Sequence, residues 1–155
     1  MPTRLTPSLY VQKAPEAIEF YVKAFGAKES FRLVDPSGGV AHAQLTIGEG
    51  TVMLSEENPE QHARGPKTLG GCSAVFEIHL GRGDVDALFD RAVRAGATVV
   101  YPLRDLFYGE RCGRVEDPFG HQWILSKTLE EVAPAEMQRR FDALIASAAE
   151  GEGGA

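Results

Sequence analysis

Apolar residues recur along this chain with two alternating periods, and the alternation runs through twice. Residues 5–11 read as a short apolar strand. Ala14, Ile18, Tyr21, Val22 and Phe25 then fall at helical spacing. Pro15 opens that helix, where a missing N–H costs nothing, and Gly26 closes it. Strands are predicted over 29–34, 40–47 and 51–55, with Asp35-Pro36-Ser37-Gly38-Gly39 and Gly48-Glu49-Gly50 as turns. After a polar, Pro- and Gly-containing stretch the pattern repeats. A strand over 73–80 precedes a helix capped by Asp84, with Val85, Leu88, Phe89 and Ala92 on its apolar face and Gly96 as its stop. Strands over 98–102, 111–116 and 122–126 follow. Phe25-Gly26-Ala27 answers Ala95-Gly96-Ala97, and Val52-Met53-Leu54-Ser55 answers Trp123-Ile124-Leu125-Ser126, about 70 residues apart.

The expected fold is therefore α+β, built of two βαβββ repeats. Each repeat makes a half-open, curved sheet, and two together enclose a cup with the helices outside. A single domain spans 1–130, with repeat one over 5–57, a linker over 58–71 and repeat two over 72–127. A C-terminal helix is expected over 131–148, started by Pro134. Met137, Phe141, Leu144 and Ile145 give it an apolar stripe that needs cover from its own body or a partner subunit. The small, acidic stretch 149–155 is expected to be a disordered tail.

Composition narrows the partners. The chain has 155 residues, 43% of them hydrophobic, enough for one good core. The net charge is −6 with Lys and Arg scattered, which argues against a nucleic-acid surface. No apolar run approaches the ~20 residues of a membrane span, and the N-terminus has no signal-peptide pattern. Cys72 and Cys112 read as unpaired thiols of a cytoplasmic protein. No nucleophile elbow, Cys–His pattern or phosphate-binding Gly loop is present.

The stretch Leu106 to Ser126 carries the strongest motif. Asp117-Pro118-Phe119-Gly120 is a tight turn: Asp117 bonds its own backbone ahead, Pro118 presets φ, and Gly120 accepts φ > 0. With His121 and the apolar strand behind it, this hairpin resembles the closing hairpin of the vicinal-oxygen-chelate superfamily. That superfamily holds glyoxalase I, extradiol dioxygenases and the bleomycin- and fosfomycin-resistance proteins. Phe107-Tyr108-Gly109-Glu110-Arg111, Ala17-Ile18-Glu19-Phe20-Tyr21 with Ala24-Phe25-Gly26-Ala27, and Glu131-Val132-Ala133-Pro134-Ala135-Glu136-Met137 are similar to its PhnB-like branch. The resemblance runs from about Leu5 to Arg140.

Metal-binding members of that superfamily place four ligands in the cup. By resemblance these positions fall on Thr6, Gln44, Glu77 and Ile124. Thr and Gln are weak ligands and Ile offers none. The resemblance thus implies a cup that has lost its metal and holds a small organic molecule. A competing reading stays open. Strand alternation puts His42 with Gln44 and His79 with Glu77. If those faces converge, His42, His79 and Glu77 have the composition of a metal-binding triad, and an enzyme of the lyase, isomerase or dioxygenase type follows. Otherwise the two His are hydrogen-bonded pocket walls. Tyr108, Glu110 and Arg111 could be carried into the cup by their loop, where a guanidinium suits a carboxylate, phenolate or carbonyl oxygen. The bland alternative makes Arg111 half of a surface pair with Glu110 or Glu116. The ligand-binding residues expected are therefore His42, Gln44, Glu77, His79, Tyr108, Arg111 and Ile124, in a homodimer with no cofactor and neither nucleic acid nor membrane as partner.

Overall fold

The computed structural model describes residues 1–152. The first repeat is β1 (Ser8–Val11), α1 (Ala14–Phe25), β2 (Lys28–Val34), β3 (Val40–Ile47) and β4 (Gly50–Glu56). A 3₁₀ turn (Pro59–Gln61) and the short α2 (Pro66–Leu69) occupy the linker. The second repeat is β5 (Val75–His79), α3 (Val85–Ala95), β6 (Thr98–Asp105), β7 (Glu110–Glu116) and β8 (Gln122–Thr128). The chain ends in α4 (Pro134–Glu152). The strands form two four-stranded sheets of equivalent order, β1-β4-β3-β2 and β5-β8-β7-β6. In each, the first strand runs parallel to the last and the other pairs are antiparallel. The α+β fold of two βαβββ units is the one the repeat predicts.

Each helix covers one face of its sheet, and the two helices also pack on each other. Ala14, Ile18 and Ala24 of α1 are buried with Leu9, Leu45 and Leu54 of the first sheet. Tyr21 and Phe25 reach further, to Trp123 of β8, with ring centroids 5.4 and 5.0 Å apart. Helix α1 is thus a wedge shared by both repeats. Gly26 adopts φ 68 and its N–H closes onto the Val22 carbonyl, a left-handed cap that turns the chain into β2.

One carboxylate locks the repeats together. Asp117, only 2% exposed, accepts from Tyr21 Oη (2.6 Å) and Trp123 Nε1 (2.9 Å) through Oδ2. Its Oδ1 accepts from the N–H groups of Phe119 (2.9 Å) and His121 (3.0 Å), which fixes the turn. Burial, and then the neighbouring Asp117 charge, pushes the Tyr21 phenol well above its ordinary range.

Helix α4 runs past the end expected at 148, because Ala146, Ala148 and Ala149 propagate it and nothing breaks it before Gly151. The remainder of the expected tail, 153–155, lies outside the described residues. The α4 stripe has two parts. Phe141 packs on Phe107, with centroids 5.7 Å apart, whereas Leu144 and Ile145 are 52% and 54% exposed.

Candidate functional site

The faces of the sheets turned away from the helices carry most of the expected site residues. On the first sheet, Ala43, Leu45 and Leu54 point into the core, so alternation leaves His42 and Gln44 on the open face. His42 lies opposite Leu33, and Gln44 lies between Phe31 and Met53. The Phe31 ring sits 5.5 Å from the His42 ring. Phe31, Leu33 and Val34 of the edge strand β2 are all exposed.

On the second sheet, Val115, Trp123 and Leu125 go to the core. The open face therefore takes Glu77 and His79 from β5, Ile124, Ser126 and Thr128 from β8, and Glu110, Cys112 and Arg114 from β7. The register pairs Glu110 with Thr128, Cys112 with Ser126, and Arg114 with Ile124. Ser126 Oγ donates to Glu77 Oε1 at 2.5 Å. The Gly81 N–H donates to His79 Nδ1 at 3.1 Å, which leaves the proton of the neutral ring on Nε2. That Nε2 lies 3.1 Å from Thr128 Oγ1 and 3.7 Å from Glu110 Oε1. This is a small acid–base cluster with a defined histidine tautomer.

Beside it, Tyr101, Arg104, Leu106, Tyr108, Cys112, Arg114 and Ile124 surround a cavity of about 310 Å³. Tyr108 arrives on the turn between β6 and β7, closed by the Gly109 N–H on the Leu106 carbonyl (3.0 Å). Its hydroxyl is 3.4 Å from Cys112 Sγ. Burial, the Cys112 thiol, and the charges of Glu110 and Glu77 raise the phenol well above its ordinary range, so it stays a neutral donor. Helix α4 straps this turn down. Arg140 Nη1 donates to the Phe107 carbonyl at 2.9 Å, while its guanidinium also pairs with Glu130 and Glu136. Gly109, at φ 86, lies so close to Glu130 that a Cβ there would collide with its carbonyl.

Arg111 is the residue the structure places elsewhere. Residues 110, 112 and 114 of β7 point to the open face, so the Arg111 side chain, and a Cβ at 113, point to the α3 side. A Cβ on Gly113 would stand 2.7 Å from the Phe89 ring of α3. Arg111 Nε and Nη2 clasp both Asp86 oxygens (3.0 and 2.8 Å), and Nη1 donates to Asp105 (3.0 Å). These partners hold Asp86 below the usual carboxylate range and raise Arg111 further above its own. Neither Glu110 nor Glu116 is its partner. The cationic side chains lining the cavity are Arg104 and Arg114. Sequence reasoning passed over both, although two-residue alternation back from Glu116 reaches Arg114.

Glu77, His79 and Ile124 lie on the open face of the second sheet, and Tyr108 lines the cavity beside it from the β6–β7 turn. His42 and Gln44 lie on the other sheet, and the His42/His79/Glu77 triad is not assembled. Among the described residues no three His, Cys, Asp or Glu side chains are arranged to hold a metal ion. The four inherited ligand positions, Thr6, Gln44, Glu77 and Ile124, offer one strong donor, and that carboxylate is engaged by Ser126. The donor set does not fit a transition metal.

The comparisons agree with this architecture. The profile of the Glyoxalase/Bleomycin resistance protein/Dioxygenase superfamily matches residues 4–125. The chain belongs to this superfamily. It is 47% identical over 137 residues to the uncharacterized protein Mb0911c of Mycobacterium bovis, covering 86% of this chain and 89% of that one. Among solved structures, TioX from Micromonospora sp. ML1 is 28% identical with a TM-score of 0.62, over 83% of this chain and 100% of that one. The gene product AT5G48480 of Arabidopsis thaliana is 26% identical with a TM-score of 0.65, over 81% and 99%. No helix among the described residues is long and apolar enough to cross a membrane.

Proposed function

We propose that this superfamily member is a homodimeric small-molecule-binding protein whose cup works without a metal. The observation that carries the reading is the cavity on the second sheet. At about 310 Å³ it is of ligand size, with apolar walls at Leu106 and Ile124 and a few aimed polar groups at Tyr108, Arg104 and Arg114. The first sheet's open face, with Phe31, His42 and Gln44, supplies the opposite wall of the cup, from the same chain or from a second copy. Exposed Leu33, Val34, Val99, Val100, Leu144 and Ile145 give a second copy apolar surface to cover. The two free cysteines suit a reducing cytoplasm, and the net charge of −6 makes nucleic acid and anionic membrane poor partners. The segment Phe107-Tyr108-Gly109-Glu110-Arg111 supports a place in the PhnB-like branch.

A second reading is an enzyme acting on a small oxygenated substrate. The fixed His79 tautomer, beside Glu110 and near Glu77, favours it, because a base must lie within bonding reach of a transferred proton. Native mass spectrometry with elemental analysis tests the proposal. A dimer that carries an organic ligand and no stoichiometric metal is expected. About one Ni, Zn, Fe or Mn per chain, removable by chelator, would refute the metal-free cup, and a monomer at micromolar concentration would refute the dimer.

A further inference from the structure

The basic end of the second sheet's open face is built unlike the rest of it. Arg114 lies at the floor of the cavity, between Ile124 on β8 and Tyr101 on β6. Its guanidinium stacks on the Tyr101 ring, 5.4 Å from the centroid. Among the described residues it makes no ion pair. Nη1 reaches the Gln122 Oε1 at 3.5 Å, a long bond, and Nε is buried with no hydrogen-bond partner. A buried donor without a partner is uncommon and costly. The contrast with Arg111, three residues away and held by two carboxylates, is direct.

The neighbouring carboxylates are committed elsewhere. Glu77 accepts from Ser126, Glu110 sits beside His79, and Glu116 accepts from Gln122 Nε2 at 3.4 Å. Tyr108, whose hydroxyl has only a thiol for a partner, adds a second donor at the same cavity.

We propose that Arg114 is the specificity-determining residue of the cup and selects ligands that carry a carboxylate on a planar aromatic body. The inference rests on the small-molecule reading above. A turn of the Arg114 side chain off Tyr101 brings Nε and Nη2 to the cavity, where one carboxylate takes both donors. The aromatic body then lies against Tyr101, Leu106 and Ile124, and Tyr108 Oη donates to the second lone pair of a carboxylate oxygen. Arg104, also on the cavity wall, adds positive potential at its mouth.

Three probes of one shape and different charge test this: 2-naphthoate, 2-naphthamide and 2-naphthylmethylammonium, by calorimetric titration and thermal shift. The full-length protein should bind naphthoate at least about tenfold tighter than naphthamide, the margin of one charge-assisted pair. Arg114→Gln should erase that ratio, Arg114→Lys should leave an intermediate one, and Arg111→Ala should keep it whole. If Arg114→Gln does not fold, Arg114→Lys decides, because it keeps the charge and loses the fork. Equal binding of naphthoate and naphthamide to the unmodified protein overturns the inference, as does a ratio untouched in both Arg114 variants. Binding of the amide or the ammonium alone sinks the inference and leaves the small-molecule cup standing. No binding by any of the three overturns both.

Discussion

Tyr21→Phe removes one oxygen from the joint between the repeats and tests whether that joint holds the fold. The lost bond runs from Tyr21 Oη to Asp117 Oδ2 at 2.6 Å, spans 96 positions of sequence and is fully buried. A hydrogen bond to a charged group contributes about 1.5–3 kcal/mol. Asp117 keeps its three other donors in the variant, so about 2 kcal/mol is the expected loss, or about 4–8 °C in Tm for a chain of this size. Asp117→Asn should cost more, about 3 kcal/mol or above. Whichever way the amide turns, its NH₂ faces either Trp123 Nε1 and Tyr21 Oη or two backbone N–H groups, so at least one donor meets a donor. The two changes should not add: Tyr21→Phe in the Asp117→Asn background should cost at least about 1 kcal/mol less than alone. Urea unfolding followed by Trp123, the single tryptophan and itself in the joint, reads all four corners of the cycle at one fixed protomer concentration. The sign at high pH is also fixed. Tyr21 titrates above 10.0 in the fold and near it in the unfolded chain, so folding binds the proton more tightly. Stability is full below pH 10 and falls as pH rises beyond it, with a slope that Tyr21→Phe lacks. A Tyr21→Phe loss under 0.5 kcal/mol, or full additivity with Asp117→Asn, would refute the joint.

The strap on the Tyr108 turn gives three more expectations. Arg140→Ala removes the bond to the Phe107 carbonyl, so hydrogen exchange of residues 106–110 should speed up while that of β3 stays unchanged; equal rates would show that α4 does not hold the turn. Arg139 and Arg140 hold Glu136 down to about 2, below its unfolded value of 4.5. Its support of the strap is whole above pH 4.5 and fades as pH falls toward 2, so the same amides should exchange faster, relative to the chemical rate, at pH 3 than at pH 6. Gly109→Ala places a Cβ at φ 86 against the Glu130 carbonyl, and a loss of about 2 kcal/mol or more in urea unfolding is expected; a neutral result would show that the turn can move aside.

The fold was legible because punctuation and period agree. Gly26 and Gly96 stop two helices about 70 residues apart, and each is followed by strands of the same number and order. The misplaced boundaries have local causes. The first strand was expected from residue 5, yet β1 opens at Ser8. Pro7 has no N–H to give a ladder and contributes only its carbonyl, to the Met53 N–H at 2.9 Å. Strand β6 was expected to end at Pro102 and runs on to Asp105. It lies at the sheet's edge, where a proline costs no ladder bond if its missing N–H faces outward.

The candidate site was half legible, and the two overlooked arginines show why. Arg114 was within reach of the sequence. Pairs across the Asp117-Pro118-Phe119-Gly120 turn keep a constant sum of positions, so Gln122 faces Glu116, Ile124 faces Arg114 and Lys127 faces Arg111. Ile124 was assigned to the cup, and the same register puts Arg114 beside it and Arg111 on the helix side. Arg104 was not within reach. Tyr101 and Arg104 both line the cavity although they stand three apart, an odd spacing that strict alternation forbids. The register of β6 against β7 slips between Tyr101 and Arg104, around Pro102, and that irregularity restores Arg104 to the open face. A slip of this kind is set by how β6 settles on β7, a tertiary pairing, so the basic rim of the cavity appears only once the sheet is assembled.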